Sequence, residues 1–373
     1  MPVEQSRREF LCRLGVLSTA GTCFATDSLM GFSRVPPSGS LRDVASNRGL
    51  LYGAAASKSH LSSDQEFAAV FAEQCAILVP EIELKWDKLR PSPDTFDFAS
   101  ADWLYAFTQQ HHLQFRGHVL VWQKSLPKWF DAYANSANAK QLLLTHISKV
   151  VGRYRNKIQS WDVINEVISP DDRRNDGLSN SPWMRLIGPE YIEMAFHAAA
   201  EADPSALLTW NENLLEEDSR SGEVRRAFML QKLKELLKQN VPVQAVGIQS
   251  HLSGDHADIA GPHFQRFLQE VGDLGLKIVI TELDVRDDNL PADVATRDRL
   301  VADMYYRYLS TVLRQPAVIA VLTWGISDRY TWLQAFHPRK DGTQVRPLPL
   351  DAALHPVPAF DSIMRAFEEA SER

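Results

Sequence analysis

Short apolar segments alternate with longer amphipathic ones from about residue 41 to the end of the chain. The short segments are rich in β-branched residues and are bounded by turn residues, which is typical of buried strands. Strands are predicted at residues 50–55, 77–86, 115–122, 161–166, 207–210, 243–250, 277–284 and 318–324. Helices are predicted from about residue 62 and at residues 101–110, 140–154, 191–202, 222–239, 264–274, 296–313 and 359–370. This alternation indicates parallel strands joined by right-handed helical crossovers.

Eight strand–helix units are the number that closes a parallel sheet into a (β/α)8 TIM barrel. We therefore predict an α/β fold with a single barrel domain over residues 41–373 and an active site at the C-terminal ends of the strands. An open doubly wound sheet is the alternative. No Gly-rich loop follows the first strand, which counts against a nucleotide-binding version of that sheet.

Two of the predicted strands end in a glutamate. The fourth strand closes with Asn165 and Glu166, and the seventh closes with Glu282, Leu283 and Asp284. Because the ends of parallel strands meet at one face of a barrel, we expect both glutamates in the same site. Two carboxyl groups, one to donate a proton and one to attack or activate water, are what glycoside hydrolysis requires.

The other strand ends supply aromatic rings, amides and charged groups. They are Glu81, Lys85 and Trp86 on the second strand, His118 and Trp122 on the third, Asn211 on the fifth, Gln249 and His251 on the sixth, and Trp324, Asp328 and Trp332 at or after the eighth. Aromatic faces stack on pyranose rings, and amides and charged groups bind hydroxyls, so the set suits a sugar. It contains no cysteine and no multi-histidine cluster, and we predict no metal.

Several of these segments resemble the family 10 glycoside hydrolases, which are retaining endo-β-1,4-xylanases. The resemblance rests on residues 84–87, 116–122, 161–166, 247–252, 280–284 and 323–328 together with Trp332, in order and at plausible spacing. It implies that Glu166 is the acid/base and Glu282 the nucleophile. It also implies that the enzyme uses no cofactor and that its two carboxyl groups lie about 5–5.5 Å apart, the separation found in retaining enzymes.

The same resemblance assigns the remaining site residues to substrate binding. Asn165 would bond the 2-hydroxyl of the sugar under attack, and His251 and Asp284 would position Glu282. The side chains that would shape or close over the sugar subsites are Glu81, Lys85, His118, Trp122, Gln249, Trp324 and Trp332. We therefore predict hydrolysis of internal β-1,4 bonds of xylan with retention of configuration.

The chain departs from the family pattern at two places. Ile82 follows Glu81 where the family usually has an asparagine, and Gln123-Lys124-Ser125 follows Trp122 where the family usually reads His-Ser-Gln. We expect both changes to flank the sugars on the non-reducing side. The alternative hypothesis is therefore a retaining β-glycanase with shifted specificity, acting on decorated xylan, short oligosaccharides or β-1,4-glucan. A non-catalytic glycan-binding barrel is opposed by the presence of both glutamates.

Composition and the N-terminus bear on partners and location. A net charge of −7 and a pI near 5.9 argue against a nucleic-acid partner, and no apolar run approaches the roughly 20 residues of a membrane span. Arg7 and Arg8, with Phe10 and Leu11 just after them, resemble a twin-arginine export signal. We predict a signal at residues 1–30, a linker at 31–40, a periplasmic or extracellular location and a monomeric enzyme.

Overall fold

The computed structural model describes residues 39–373. The predicted export signal at residues 1–30 and all but the end of the predicted linker at 31–40 lie outside the described residues. Parallel strands form the centre of the described chain, and helices surround these strands.

Nine strands are present in the described residues. They are β1 (Leu51–Ala56), β2 (Ile77–Pro80), β3 (Gln114–Gly117), β4 (Ser160–Asn165), β5 (Leu207–Glu212), β6 (Ala245–Ile248), β7 (His251–Ser253), β8 (Lys277–Arg286) and β9 (Val318–Thr323). All pairings between them are parallel, in the order β6-β5-β4-β3-β2-β1-β9-β8, and β6 pairs with β8 to close the ring. The predicted eight-stranded barrel is thus confirmed, with β7 as a short addition that pairs with β8.

Helices follow the strands along the chain. They are α1 (Leu41–Ser46), α2 (Lys58–Ser63), α3 (Gln65–Gln74), α4 (Trp86–Leu89), α5 (Ala99–Gln110), α6 (Phe130–Tyr133), α7 (Ala139–Arg153), α8 (Pro182–Leu186), α9 (Tyr191–Ala202), α10 (Arg220–Lys238), α11 (Pro262–Asp273), α12 (Val294–Val312), α13 (Leu333–Phe336) and α14 (Pro358–Glu368). The apolar stripe predicted for α7 is buried: Leu143, Ile147, Val150 and Val151 are all inaccessible to solvent. Strand residues such as Trp161 are buried as well, as expected for a parallel sheet covered by helices.

Two predicted strands run five or six residues past their observed ends, and the sixth, predicted at residues 243–250, is shortened to Ala245–Ile248. The second ends at Pro80 instead of residue 86, and Trp86 begins α4. The third ends at Gly117 instead of residue 122, with only Val121 forming a further bridge, to Ile164. The tail after β3 is buried from His118 to Val121. In the tail after β2, Leu84 and Trp86 are buried, whereas Ile82 is exposed. Buried apolar residues occur in loops as well as in strands, so the pattern alone could not separate the two.

Candidate active site

The C-terminal ends of the barrel strands surround a cleft of about 580 Å³. The predicted site residues that line it are Glu81, Lys85, His118, Trp122, Asn165, Glu166, Gln249, His251, Glu282, Trp324 and Trp332. Asp284, also assigned to the site, is fully buried and contacts His251. The other strand-end residues, Trp86, Asn211 and Asp328, are buried and do not line the cleft. The structure therefore brings together side chains from six strand ends that span more than 200 positions of sequence.

Glu282 lies on β8, and hydrogen bonds hold both of its carboxylate oxygens. Asn211 Nδ2 donates to Oε1 over 2.7 Å, and His251 Nε2 lies 3.2 Å from Oε2. Burial of this carboxyl favours its neutral form, but the hydrogen bond from His251 and the nearby charge of His118 outweigh burial and lower its pKa to about 2. Glu282 is therefore ionised at neutral pH, as an attacking nucleophile must be.

His251 is held between two carboxylates. Its pairing position on β7, opposite Asp284 on β8, sets Nδ1 3.0 Å from Asp284 Oδ1 while Nε2 faces Glu282. Trp332 Nε1 donates to the other oxygen of Asp284 over 2.8 Å. Burial opposes the charged ring, yet the charge and hydrogen bond of Asp284 raise the pKa of His251 well above its usual value. His251 thus supplies a fixed positive charge beside Glu282.

Replacing His251 with glutamine is expected to move the acid limb of kcat/KM upward. Without the imidazolium, burial dominates at Glu282 and raises its pKa from about 2 towards or above the ordinary value of about 4.3, so the carboxylate protonates at higher pH. The check is kcat/KM measured from pH 2.5 to pH 7. Replacing the exposed His112 with glutamine is the matched control, and an unchanged acid limb in the His251 variant would contradict this account.

Glu166 follows β4 with a left-handed backbone, φ 52°. Such a conformation costs a residue with a side chain about 1–3 kcal/mol and points to surrounding contacts that enforce it. Gln249 Nε2 donates to Glu166 Oε1 over 3.1 Å, and Lys124 Nζ lies 2.6 Å from Oε2. The Glu166 backbone N–H donates to the carbonyl of Asn211 over 3.2 Å. The acid/base candidate is thus held at its backbone and at both carboxyl oxygens.

A chain of amides connects the two glutamates. Asn165 Oδ1 accepts from Asn211 Nδ2 over 3.0 Å and from Gln249 Nε2 over 3.1 Å. Asn211 also bonds Glu282, and Gln249 also bonds Glu166, so Asn165 sits at the centre of a continuous network. A shift of either carboxyl group would disturb the amides that also hold the other carboxyl group. The network therefore keeps the two glutamates in one relative geometry.

Two cation–π contacts and a buried contact between a histidine and an aspartate shape the rest of the cleft. Lys85 Nζ lies 4.9 Å from the ring centre of Trp122 and 5.7 Å from that of Trp324. His118 packs edge-on against Trp324 at 5.3 Å, and its Nδ1 lies 3.0 Å from Asp162 Oδ2. Burial raises the pKa of Glu81, near Lys85, to about 7. The contacts of Lys85 and His118 orient the rings of Trp122 and Trp324, which line the cleft.

The departure after Trp122 contacts Glu166, the candidate acid/base, which the sequence did not indicate. Gln123 Nε2 donates to the Glu166 carbonyl over 2.9 Å, and Lys124 Nζ contacts Glu166 Oε2. Neither contact could be read from the sequence, because more than 40 residues separate the partners. Ile82, the other departure, lines the cleft together with Glu81 and Lys85.

Glu212 is a site residue that sequence reasoning missed. It ends β5 fully buried, and its Oε2 accepts the backbone N–H groups of Val167 and Ile168 over 3.0 and 3.1 Å. Burial, reinforced by the charge of Glu166, raises the pKa of Glu212 to about 8. This carboxyl fixes the two residues that follow the acid/base. The strand-end rule that selected Asn211 would also have selected its neighbour Glu212.

Replacing Glu212 with alanine is expected to lower kcat on a polymeric substrate by about 100-fold, the cost of roughly 1 Å of misplacement in a catalytic group. The variant leaves two buried N–H donors unpaired directly after Glu166, so the acid/base shifts while the sugar subsites keep KM nearly unchanged. Glutamine at the same position retains an acceptor oxygen and should remain within several-fold of the parent. Steady-state kinetics of both variants, with circular dichroism to confirm folding, distinguish a positioning role from loss of the fold. Equal losses in both variants would contradict it.

Comparison with known proteins agrees with this geometry. A sequence model described as Glycosyl hydrolase family 10 matches residues 40–366. The chain belongs to this family. It is 31% identical to Endo-1,4-beta-xylanase 3 of Hypocrea jecorina, over 87% of this chain and 85% of the relative. It is 30% identical to Endo-1,4-beta-xylanase B of Thermotoga neapolitana, over 88% of this chain and 92% of the relative.

Solved structures of the family share its fold. Xylanase 10B of Thermotoga maritima superposes with a TM-score of 0.80 at 31% identity, covering 88% of this chain and 98% of that one. Xylanase 10B of Thermotoga petrophila RKU-1, solved in complex with xylobiose, gives a TM-score of 0.81 at 31% identity over 88% of this chain and 97% of that one. Across residues 39–373, no helix is long and apolar enough to cross a membrane.

Proposed function

We propose that this family 10 enzyme hydrolyses internal β-1,4-xylosidic bonds of xylan with retention of configuration. The observation that carries the proposal is the environment of Glu282, which keeps a buried carboxylate ionised inside a sugar-sized cleft and connects it through Asn211, Asn165 and Gln249 to Glu166. Membership of the family and the xylanase names of its relatives favour xylan as the substrate.

In the first step, a Glu282 oxygen attacks the anomeric carbon while Glu166 donates its proton to the departing glycosidic oxygen. The product is a covalent glycosyl ester on Glu282, and the leaving chain departs with a new hydroxyl. In the second step, Glu166, now a carboxylate, takes a proton from water, which attacks the same carbon and releases Glu282. Two inversions at one carbon restore the original β configuration.

The surrounding residues bind and orient the sugars in this proposal. Asn165 bonds the 2-hydroxyl of the sugar under attack, and the hydrogen bonds that hold its Oδ1 fix the amide plane. Trp324 and Trp332 line the cleft as ring platforms, and Lys85 lies over the ring of Trp324 with its ammonium available to sugar hydroxyls. His118 supports both the ring of Trp324 and the charge of Glu282.

The test is a substrate series of xylan, carboxymethylcellulose and mixed-linkage glucan, with the Glu282→Ala variant as the blank. We expect short xylo-oligosaccharides from xylan, released first as the β-anomer in a proton NMR time course, and much slower release from the two glucans. Initial α-anomer would overturn retention. Faster hydrolysis of a glucan than of xylan would replace the substrate with a β-1,4-glucan, the second candidate.

We also propose that residues 1–30 direct export through a twin-arginine pathway, on the basis of Arg7, Arg8, Phe10 and Leu11. Changing both arginines to lysine should leave the full-length enzyme in the cytoplasm, because this pathway reads the arginine pair. Xylanase activity in cytoplasmic, periplasmic and culture fractions measures the outcome. Normal export of the Arg7→Lys/Arg8→Lys variant would rule out this route.

A further inference from the structure

Large apolar side chains that remain exposed are few within residues 39–373, and most of them surround the cleft. Ile82, Leu214 and Phe336 line it with exposed fractions of 38%, 39% and 71%. The other two, Tyr133 and Val294, do not line it. Exposed apolar groups gathered at a binding site usually contact a ligand, because they gain free energy only when something covers them.

The three residues come from three different loops of the barrel. Ile82 follows β2, Leu214 follows β5 with a left-handed backbone, and Phe336 ends α13, where its ring lies 5.5 Å from that of Trp332. They therefore meet the substrate at separate points of the cleft. Polar cleft residues stand beside them in the sequence, Glu81 before Ile82 and Asn213 before Leu214. The points at Ile82 and Leu214 therefore suit a small apolar group and not an extended apolar chain.

The hydroxyl-bearing edge of an unmodified xylose unit offers such points little, although its ring faces can stack on aromatic side chains. Its substituents are hydroxyls, and a hydroxyl that faces an apolar side chain loses hydrogen bonds to water without replacement. An O-acetyl ester differs in two ways that matter here: the ester has no O–H to satisfy, and it ends in a methyl group. Ile82 shows this most clearly, because its exposed side chain lines the cleft and can offer a sugar hydroxyl no hydrogen bond.

We propose that the cleft is adapted to O-acetylated xylan, whose ester methyl groups contact Ile82, Phe336 and Leu214. This inference rests on the proposed xylanase function and specifies its substrate. Burying one methyl group against an apolar side chain strengthens binding by about fourfold. The enzyme therefore prefers the acetylated chain, and the preference depends on the three side chains.

The experiment uses one soluble preparation of acetylated xylo-oligosaccharides before and after mild alkaline removal of the esters, so that chain length is unchanged. The measured quantity is the ratio of kcat/KM for the acetylated and deacetylated forms. For the parent enzyme we expect a ratio of about three or more. Ile82→Asn should lower the ratio to near one, chiefly by improving the deacetylated substrate, and Phe336→Ala should lower it through weaker binding of the acetylated one. Val294→Asn, at an exposed apolar residue outside the cleft, is the matched control.

A parent ratio of one or below would overturn the proposal. A ratio above one that survives both cleft variants would overturn the assignment to these residues. Failure of the xylanase function itself is a separate outcome, seen as no hydrolysis of the deacetylated oligosaccharides. The substituted side chains are exposed, so the variants are expected to fold, and their activity on deacetylated substrate confirms this directly.

Discussion

Replacing Glu282 with alanine is expected to lower kcat on xylan by on the order of 10⁵-fold or more, as removal of a covalent nucleophile does in other enzymes. The alanine variant has no group that can form the glycosyl ester, while the cleft and Glu166 remain. KM should change little, since Glu282 contacts the reacting carbon more than the bound chain. Kinetics on xylan, with Glu201→Ala at an exposed helical glutamate as the control, measure the loss.

Azide distinguishes loss of the nucleophile from general damage to the site. In the Glu282→Ala variant, azide can enter the vacated space and attack an activated aryl xylobioside directly. One displacement inverts the anomeric carbon, so the product is the α-glycosyl azide. A β-glycosyl azide, or full activity without azide, would assign the nucleophile to another residue and would require a new reading of the network around Asn211 and His251.

Replacing Glu166 with alanine should lower kcat/KM on xylan by about 10²–10⁴-fold, the range that general acid–base catalysis contributes. The loss should depend on the leaving group. A 2,4-dinitrophenyl xylobioside needs no proton to depart, so its first step should stay within about tenfold of the parent. Its second step lacks the base, and the glycosyl enzyme should accumulate as a burst of released phenol. Measurements with both substrates test the two roles of Glu166 separately.

The product formed with azide again identifies the residue. Glu282 is intact in the Glu166→Ala variant, so the covalent ester forms first and azide then attacks it, which gives the β-glycosyl azide by two inversions. Opposite anomers from the two glutamate variants are the expected signature of the assignment. An equal loss on xylan and on the dinitrophenyl substrate would show that Glu166 does not act as the proton donor.

The fold and the two glutamates could be predicted from the sequence because both depend on local patterns. The periodicity of a strand or a helix can be recognised within ten or fifteen residues. Eight strand–helix units in succession are compatible with only a few folds. The strand-end positions of Glu166 and Glu282 follow from the same patterns, since parallel strands in a barrel end on one face. The two strands that were predicted too long show the limit, because buried residues such as Trp86 and Val121 also occur outside strands.

Only the tertiary structure decided how the acid/base is held. Lys124 and Gln123 reach Glu166 from another loop, and Glu212 binds the backbone that follows it from the next strand. Such contacts join residues about 40 or more positions apart, and their geometry is set by barrel closure and strand register, which no local pattern encodes. The set of side chains that line the cleft was determined by the sequence alone, and their roles in the reaction stay predictions. The electrostatic balance of the site, with an ionised Glu282 beside a charged His251, arises from burial and distances that exist only in the folded barrel.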